Sequence, residues 1–370
     1  NFDNQIKQLN DKVKKEKREI TDAEKKQRDE WTKERDALRK SAPPKFATAH
    51  GLRENGSNNM HVAIRGDLRK KGEEVPRRFL EVISRDRTFS KESGLLQLAE
   101  SVVSRENPLT SRVLVNRIWQ WHFGQAIVRT PSNFGVIGEK PTHPLLLDWL
   151  AADLQANGWS LKHLHRLIVT SATYRQASKM NPQAAAVDAD NRLLWRKSPT
   201  RLEGEALRDS MLAIAGKLDA TIGGKGYRDM REYKFKGSHF YDPIPQTQAE
   251  QFRRTIYRFS PRGAKRTMLD TFDCPDPSAL TPKRAETTTP LQSLALMNND
   301  FVLLMADAVA ARLERNHTAA DAQVRQLIRL AYGREADRQD IGLAIPFIQE
   351  HGLAAYCRVV FNSNELLYVR

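Results

Sequence analysis

The chain has 370 residues, more than one ordinary domain needs and suited to two or three. Its 40% apolar residues and six tryptophans exclude disorder throughout, and no apolar run approaches the ~18 residues needed to cross a bilayer. The net charge of +15 implies attraction to polyanions: nucleic acid, anionic lipid or acidic polysaccharide.

The sequence opens at Asn1 with no methionine and no signal-like apolar stretch, and reads as a piece of something longer. Residues 1–42 predict a charged helix; the first 40 hold 13 Lys/Arg against 10 Asp/Glu. Phe2, Ile6, Leu9, Val13 and Ile20 form a thin seam that fails at Gln27 and Glu34. Such a helix either lays one face on its own protein or pairs in a coiled coil. "SAPPK" ends it, because the residue before proline disfavours helix.

Residues 43–93 predict a loop, a short strand at about 60–66 and a basic turn. Arg65-Gly66-Asp67 matches an integrin-binding signature by letter only, and a turn with an Arg–Asp contact explains it better.

Residues 94–220 predict a helical domain. After Pro108, Leu114, Val115, Ile118, Trp119 and Trp121 fall on one helix face with Asn116 and Gln120 opposite, and Gly124 suits a C-cap. A second helix starts at Pro144 and runs to Gly158. Ser160 caps a third, whose Leu164 packs back on Trp159 and whose inner stripe is Leu161, Leu164, Ile168 and Ala172. "TRLEGEALRDSMLAIAGKLD" gives a fourth, with Leu207, Met211, Ile214 and Leu218 inward.

Residues 221–270 predict an irregular basic-aromatic region with one strand near 254–259; residues 225–266 carry 11 Lys/Arg against 4 Asp/Glu. Residues 271–370 return to helices, from "PLQSLALMN" to "LAAYCRVVFNSNELLYV". The fold class is therefore mainly α, a multi-helix domain with a few short strands and a long charged N-terminal helix.

The only two cysteines are Cys274 and Cys357. They exclude a disulfide framework, a cysteine-rich zinc cluster and, since no C-x-x-C-H occurs, covalent haem in this segment; one bridge between them stays open. Among the histidines, His122 lies on an apolar helix face, His165 points inward while His163 points outward, and His143 sits at a helix N-terminus, where an anion site is plausible. None has metal-ligand spacing, so no metal is expected. His122, His143 and His165 are the candidates for acid–base chemistry. Glu203, Glu205 and Asp209 lie at helical spacing from Arg201 and Arg208, the pattern of surface ion pairs, with a general-acid pair left open. No nucleophile elbow, P-loop or dinucleotide glycine pattern occurs. Candidate binding residues are Arg65, Arg117, Arg129, Arg228, Arg231, Tyr233, Lys234, Arg253, Arg254 and Arg258: arginines beside rings that stack on bases or sugars, or else a surface loop whose rings bury themselves.

Four stretches, "HVAIRGDLRKKGEEVPRRFL", "NPLTSRVLVNRIWQWHFGQAIVRTPSNFGVIGEKPTHPLLLDWLA", "GWSLKHLHRLIVTSATYRQAS" and "RRTIYRFSPRGAKRTMLDTFDCPDPSALTPKRAETTTPLQSLALMNNDFV", resemble the planctomycete-specific C-terminal domain of unknown function, family 1553. "NSNELLYV" is similar to that family's last helix, and the first 40 residues look like its variable lead-in. The resemblance covers about residues 60–370. It implies an exported, periplasmic or cell-surface protein, with upstream domains of the same parent as partners and haem only in an upstream cytochrome-c domain. Genes for sulfatase-like proteins commonly adjoin those of the family, and the family supplies no reaction and no catalytic residues.

Two functions compete. One is a binding or scaffold module presenting a basic face to an anionic polymer or partner domain. The other is an enzyme acting on sulfated or acidic polysaccharide through His and Arg residues. Nucleic acid, drawn by charge alone, conflicts with an exported setting. A deep pocket where these residues converge favours the enzyme, and a convex basic face favours binding.

Overall fold

The computed structural model describes residues 2–369 except 17, 43–50, 52–55, 57, 85–87, 90, 91, 265 and 266. It divides into two compact units, residues 1–99 and 100–370.

In the first unit the single helix expected over 1–42 is two: α1 (Phe2–Lys15) and α2 (Asp22–Ser41). Thr21 and Glu24 form a capping box that starts α2 afresh, and Arg18 clamps Glu24 across the break at 2.7 Å. The helices run antiparallel, with Arg39 of α2 3.0 Å from Asp3 of α1. Phe2, Ile6, Leu9 and Val13 are half-buried. An antiparallel hairpin, β1 (Met60–Ala63) and β2 (Lys71–Val75), follows, and then α3 (Glu81–Ser84). The loop expected before β1 falls mostly outside the described residues. In the turn between the strands Asp67 binds Arg69 at 3.1 Å, not Arg65, which is exposed.

α4 (Leu95–Val103) leads into the second unit. There α5 (Pro108–Phe123) begins at Asn107, whose side chain accepts from the Leu109 N–H, and ends at Gly124, whose φ of 76° makes a left-handed cap. α6 (Pro144–Ala156) and α7 (Leu161–Thr170) pack on it, and Val115, Ile118, Leu147, Leu150, Leu154 and Leu164 close a first core, with Trp159 against it. A short α8 (Pro182–Val187) and strand β3 (Thr200–Arg201) follow.

The second core gathers α9 (Gly204–Ile214), α10 (Thr267–Thr271), α11 (Pro290–Asn298), α12 (Asp300–Asn316), α13 (Ala320–Tyr332), α15 (Leu353–Phe361) and α16 (Asn364–Leu367). Leu207, Met211, Leu296, Met305 and Phe361 are completely buried in it. Thus α9, grouped by sequence with residues 94–220, packs with the C-terminal helices instead. α14 (Arg338–His351) adds a small cluster on α13. The chain ends in β6 (Tyr368–Val369), which pairs antiparallel with β3. No disulfide joins Cys274 to Cys357; the latter is buried in this core.

Residues 221–270 are more ordered than the sequence implies. β4 (Met230–Phe235) and β5 (Ser238–Pro243) form a hairpin closed by Lys236-Gly237, both at positive φ as a two-residue turn requires. The strand expected at 254–259 is a 3-10 turn, Thr255–Tyr257. Asp209 Oδ1 captures the Thr255 N–H and hydroxyl at 2.8 and 2.6 Å and holds it.

The architecture is mainly α, as the apolar periodicity predicts, with three two-stranded antiparallel sheets among the described residues. Among those residues no single helix is long and apolar enough to cross a membrane.

Candidate ligand cleft

A cleft of about 860 Å³ opens between the two cores of the second unit. One wall is the end of α5, with Trp121 and His122, and the Tyr174 ring. The other is β3, the start of α9 and a proline-rich loop from Cys274 to Glu286. Lys197 and Val369 also line it.

Lys197 is only 7% exposed. Its amine lies 5.6 Å from the Phe123 ring centre and 5.1 Å from that of Tyr174. It donates to the Ser198 carbonyl and the Thr200 hydroxyl, each at 3.3 Å. No carboxylate lies within 4.0 Å of it among the described residues. Burial therefore pushes the amine below its usual pKa.

His122 packs edge-on against Tyr174 at 5.6 Å, and its Nε2 meets Nδ1 of His165 at 2.7 Å. In that pair one ring nitrogen donates and the other accepts. Burial, then His165 and then Lys197 hold the His122 imidazole below its usual pKa. A desolvated lysine and an imidazole held below its usual pKa thus share one wall.

The opposite corner is a charge network. Arg284 grips Glu205 with both terminal nitrogens, at 2.7 and 3.0 Å, and reaches Glu203 through Nε at 3.2 Å. Cys274 donates its thiol to Glu205 at 3.3 Å. Burial pushes the Glu205 carboxyl up, but the Arg284 hydrogen bonds outweigh it and leave it below the usual range. Burial raises Glu203 above that range. Arg201 binds Asp273 at 2.6 Å and the Thr287 carbonyl, which fastens the loop to β3. These acids pair with arginines distant in sequence rather than at the helical spacing that surface pairs need.

The sequence candidates scatter. Of the three histidines only His122 lines the cleft, with His165 behind it. His143 is the N-cap of α6, its Nδ1 3.0 Å from the Thr142 hydroxyl. Arg117 is exposed on α5, and Arg129 lies 3.6 Å from Asp190. Arg228 pairs with Glu232, Arg231 with Asp242 and Arg254 with Asp209, at 3.1, 3.4 and 3.8 Å. Arg258 is buried against Asp229 at 2.6 Å, and Arg253 is buried on the carbonyls of Thr221, Gly223 and Lys225. The single basic face expected here is therefore divided between the interior and compensated surface pairs. Lys234 stays exposed on the hairpin, and Tyr233 stacks on Phe240 at 5.6 Å.

Sequence reasoning missed Lys197 and misplaced Trp121. Trp121, read as core, is 64% exposed at the cleft rim, whereas Asn116, read as outward, is fully buried. The loop after α5 covers the face the helical wheel left to solvent, and Asn116 exchanges two hydrogen bonds with the backbone of Val128. Lys197 sits in an irregular stretch, "WRKSPT", where no periodicity marks burial. Among the described residues no cluster of three or more His, Cys, Asp or Glu side chains could hold a metal ion.

The model of one protein family, described as PSD1, protein of unknown function (DUF1553), matches residues 95–348, more than half of the chain. No curated protein and no solved structure matches.

Proposed function

The chain belongs to the PSD1 (DUF1553) family, and from the cleft we propose that it is a binding module for an acidic saccharide. The observation that carries this reading is Trp121, whose indole is 64% exposed on the rim of a cleft with Lys283 and Arg284 in its lining. An aromatic face offers a sugar ring apolar contact without desolvating its hydroxyls. The volume falls in the range of ligand pockets, about 300–1,000 Å³. The exposed Lys283 ammonium attracts a carboxylate or sulfate, and Thr200, Thr281 and Asp276 offer partners to hydroxyls.

The rest of the setting follows the family resemblance and belongs to the same proposal. The module acts in an exported, periplasmic or cell-surface protein, with upstream domains as partners and haem, if any, upstream. An anionic polymer then meets the cleft rather than the 228–258 region. Nucleic acid is not the partner in this reading.

A second, enzymatic reading has one observation in its favour: His122, backed by His165, faces the same cleft as Glu203. An imidazole and a carboxyl with raised pKa are the tools of proton transfer.

Calorimetric titration of sulfated, uronate-containing and neutral oligosaccharides tests the binding reading. Acidic chains should bind more tightly than neutral ones, and Trp121→Ala should weaken them about tenfold, the order of one aromatic contact. Equal, negligible binding of all three would sink it.

A further inference from the structure

Lys197 differs from the other buried cations of the second unit. Arg201 and Arg258 each hold a carboxylate at 2.6 Å. Arg208 has hydrogen-bonding oxygens around its guanidinium and Asp209 at 3.7 Å. Lys197 has only a carbonyl and a hydroxyl, each at a long 3.3 Å, and two aromatic rings. A buried ammonium without a counter-charge is costly, so burial lowers the Lys197 pKa and leaves a larger share of neutral amine than an exposed lysine has. Lys197 lines the cleft, and His122 packs against the same Tyr174 ring. A desolvated lysine beside another basic group is how an amine nucleophile is activated.

We infer that Lys197 forms a covalent imine in the cleft with the carbonyl group of an acid-bearing aldehyde or ketone. The amine nitrogen adds to the carbonyl carbon, and the C=O π pair moves to oxygen. Both N–H protons then leave with that oxygen as water, giving a neutral N=C bond. His122, sharing one proton with His165, moves the proton between nitrogen and oxygen in the intermediate. No oxidant, reductant or cofactor enters the balance. Lys283, exposed on the proline-rich loop, gives the acid group a place on the opposite wall. The inference deepens the preceding reading of the cleft, since an acidic sugar in its open-chain form carries both groups, but it does not depend on Trp121.

The test is reductive trapping on the full chain, with cyanoborohydride and one of three probes: glyoxylate, glucuronate or glucose. Peptide mapping then compares Lys197 with Lys162, which is exposed on α7. We expect Lys197 to be alkylated by glyoxylate at least about tenfold faster than Lys162, as a desolvated amine nucleophile should be. Glucose, lacking the acid group, should show no such preference. Labelling by glucuronate as well would identify a sugar as the carbonyl donor; labelling by glyoxylate alone would identify a small oxo acid. Lys197→Arg should abolish this adduct and leave the others. If that variant fails to fold, the rate comparison within the unmodified protein still decides. Modification of Lys197 no faster than of Lys162 would overturn the inference. Preferential labelling without binding of acidic oligosaccharides would sink the saccharide reading alone, and binding without preferential labelling would sink this one alone.

Discussion

Nε2 of His122 and Nδ1 of His165 lie 2.7 Å apart, and this bond joins the end of α5 to the middle of α7 at the edge of the cleft. Adding a proton to His122 is unfavourable because its ring is half-buried and faces both His165 and Lys197.

That relationship makes stability depend on pH. A histidine whose folded pKa lies below its unfolded value, about 6.5, binds fewer protons in the fold than in the unfolded chain. Above pH 7 both states are neutral there and the effect vanishes. As pH falls from about 6.5 toward the folded pKa, stability is lost, and below the folded pKa the loss levels off. Thermal melts between pH 8 and 5 should show this fall, and His122→Phe should reduce its slope. An identical slope in the variant would contradict the assignment.

A second prediction concerns Asn116. Its side chain donates to the Val128 carbonyl at 3.0 Å and accepts from the Val128 N–H at 2.7 Å, all fully buried. Asn116→Ala leaves both backbone groups without water or partner, a cost of about 3 kcal/mol. Asn116→Asp keeps the acceptor and loses the donor, with a buried charge added. Urea unfolding should rank both well below the parent, and a loss under about 1 kcal/mol for Ala would mean the loop is not held this way.

Ion pairs in residues 221–270 should divide by burial. Arg258 and Asp229 have side chains 4% and 8% exposed, whereas Arg231 and Asp242 are 74% and 49% exposed. Asp229→Ala strands a guanidinium inside and should cost about 3–5 kcal/mol. Asp242→Ala removes a solvated partner and should cost less than about 1 kcal/mol. Equal losses in chemical denaturation would show that burial does not govern these pairs.

What the sequence discloses follows from how each side chain is constrained. Helices with caps and an apolar stripe are legible: α5 through Asn107, Pro108 and Gly124, α7 through Ser160, and α12 through Val302, Met305 and Val309. The break after α1 is marked only by Thr21 and Glu24, which also suit a continuous helix. The cleft is less legible because long-range pairs build it. Arg284 meets Glu205 across 79 residues and Arg201 meets Asp273 across 72, and neither spacing has a periodicity to read. Lys197 shows no sign of burial in its own segment, since Phe123 and Tyr174, which cover its amine, come from elsewhere.

Thiol chemistry supplies a fourth prediction. Burial pushes the Cys357 thiol up to about 12, so it carries almost no thiolate at neutral pH. In the native protein it should resist iodoacetamide, and it should react once the chain is unfolded. Rapid native labelling of Cys357, read by mass spectrometry of its peptide, would show the second core to be open.

The last prediction separates the cleft from the β4–β5 hairpin as the place where an anionic polymer is held. On the hairpin, Tyr233, Phe235 and Phe240 are exposed rings at 42%, 57% and 42%. Lys234 is exposed beside them, but Arg231 and Arg228 each already lie against a carboxylate. A polymer binding there would release few counterions, because compensated arginines attract little salt of their own. Arg231→Ala with Lys234→Ala should therefore leave the affinity for a sulfated oligosaccharide within about twofold and its salt dependence nearly unchanged. Tyr233→Ala with Phe240→Ala should likewise be close to neutral if sugar rings stack on Trp121 instead. Measured at low and moderate salt, a much flatter slope in the first pair, or a tenfold loss in the second, would move the polymer site from the cleft to the hairpin.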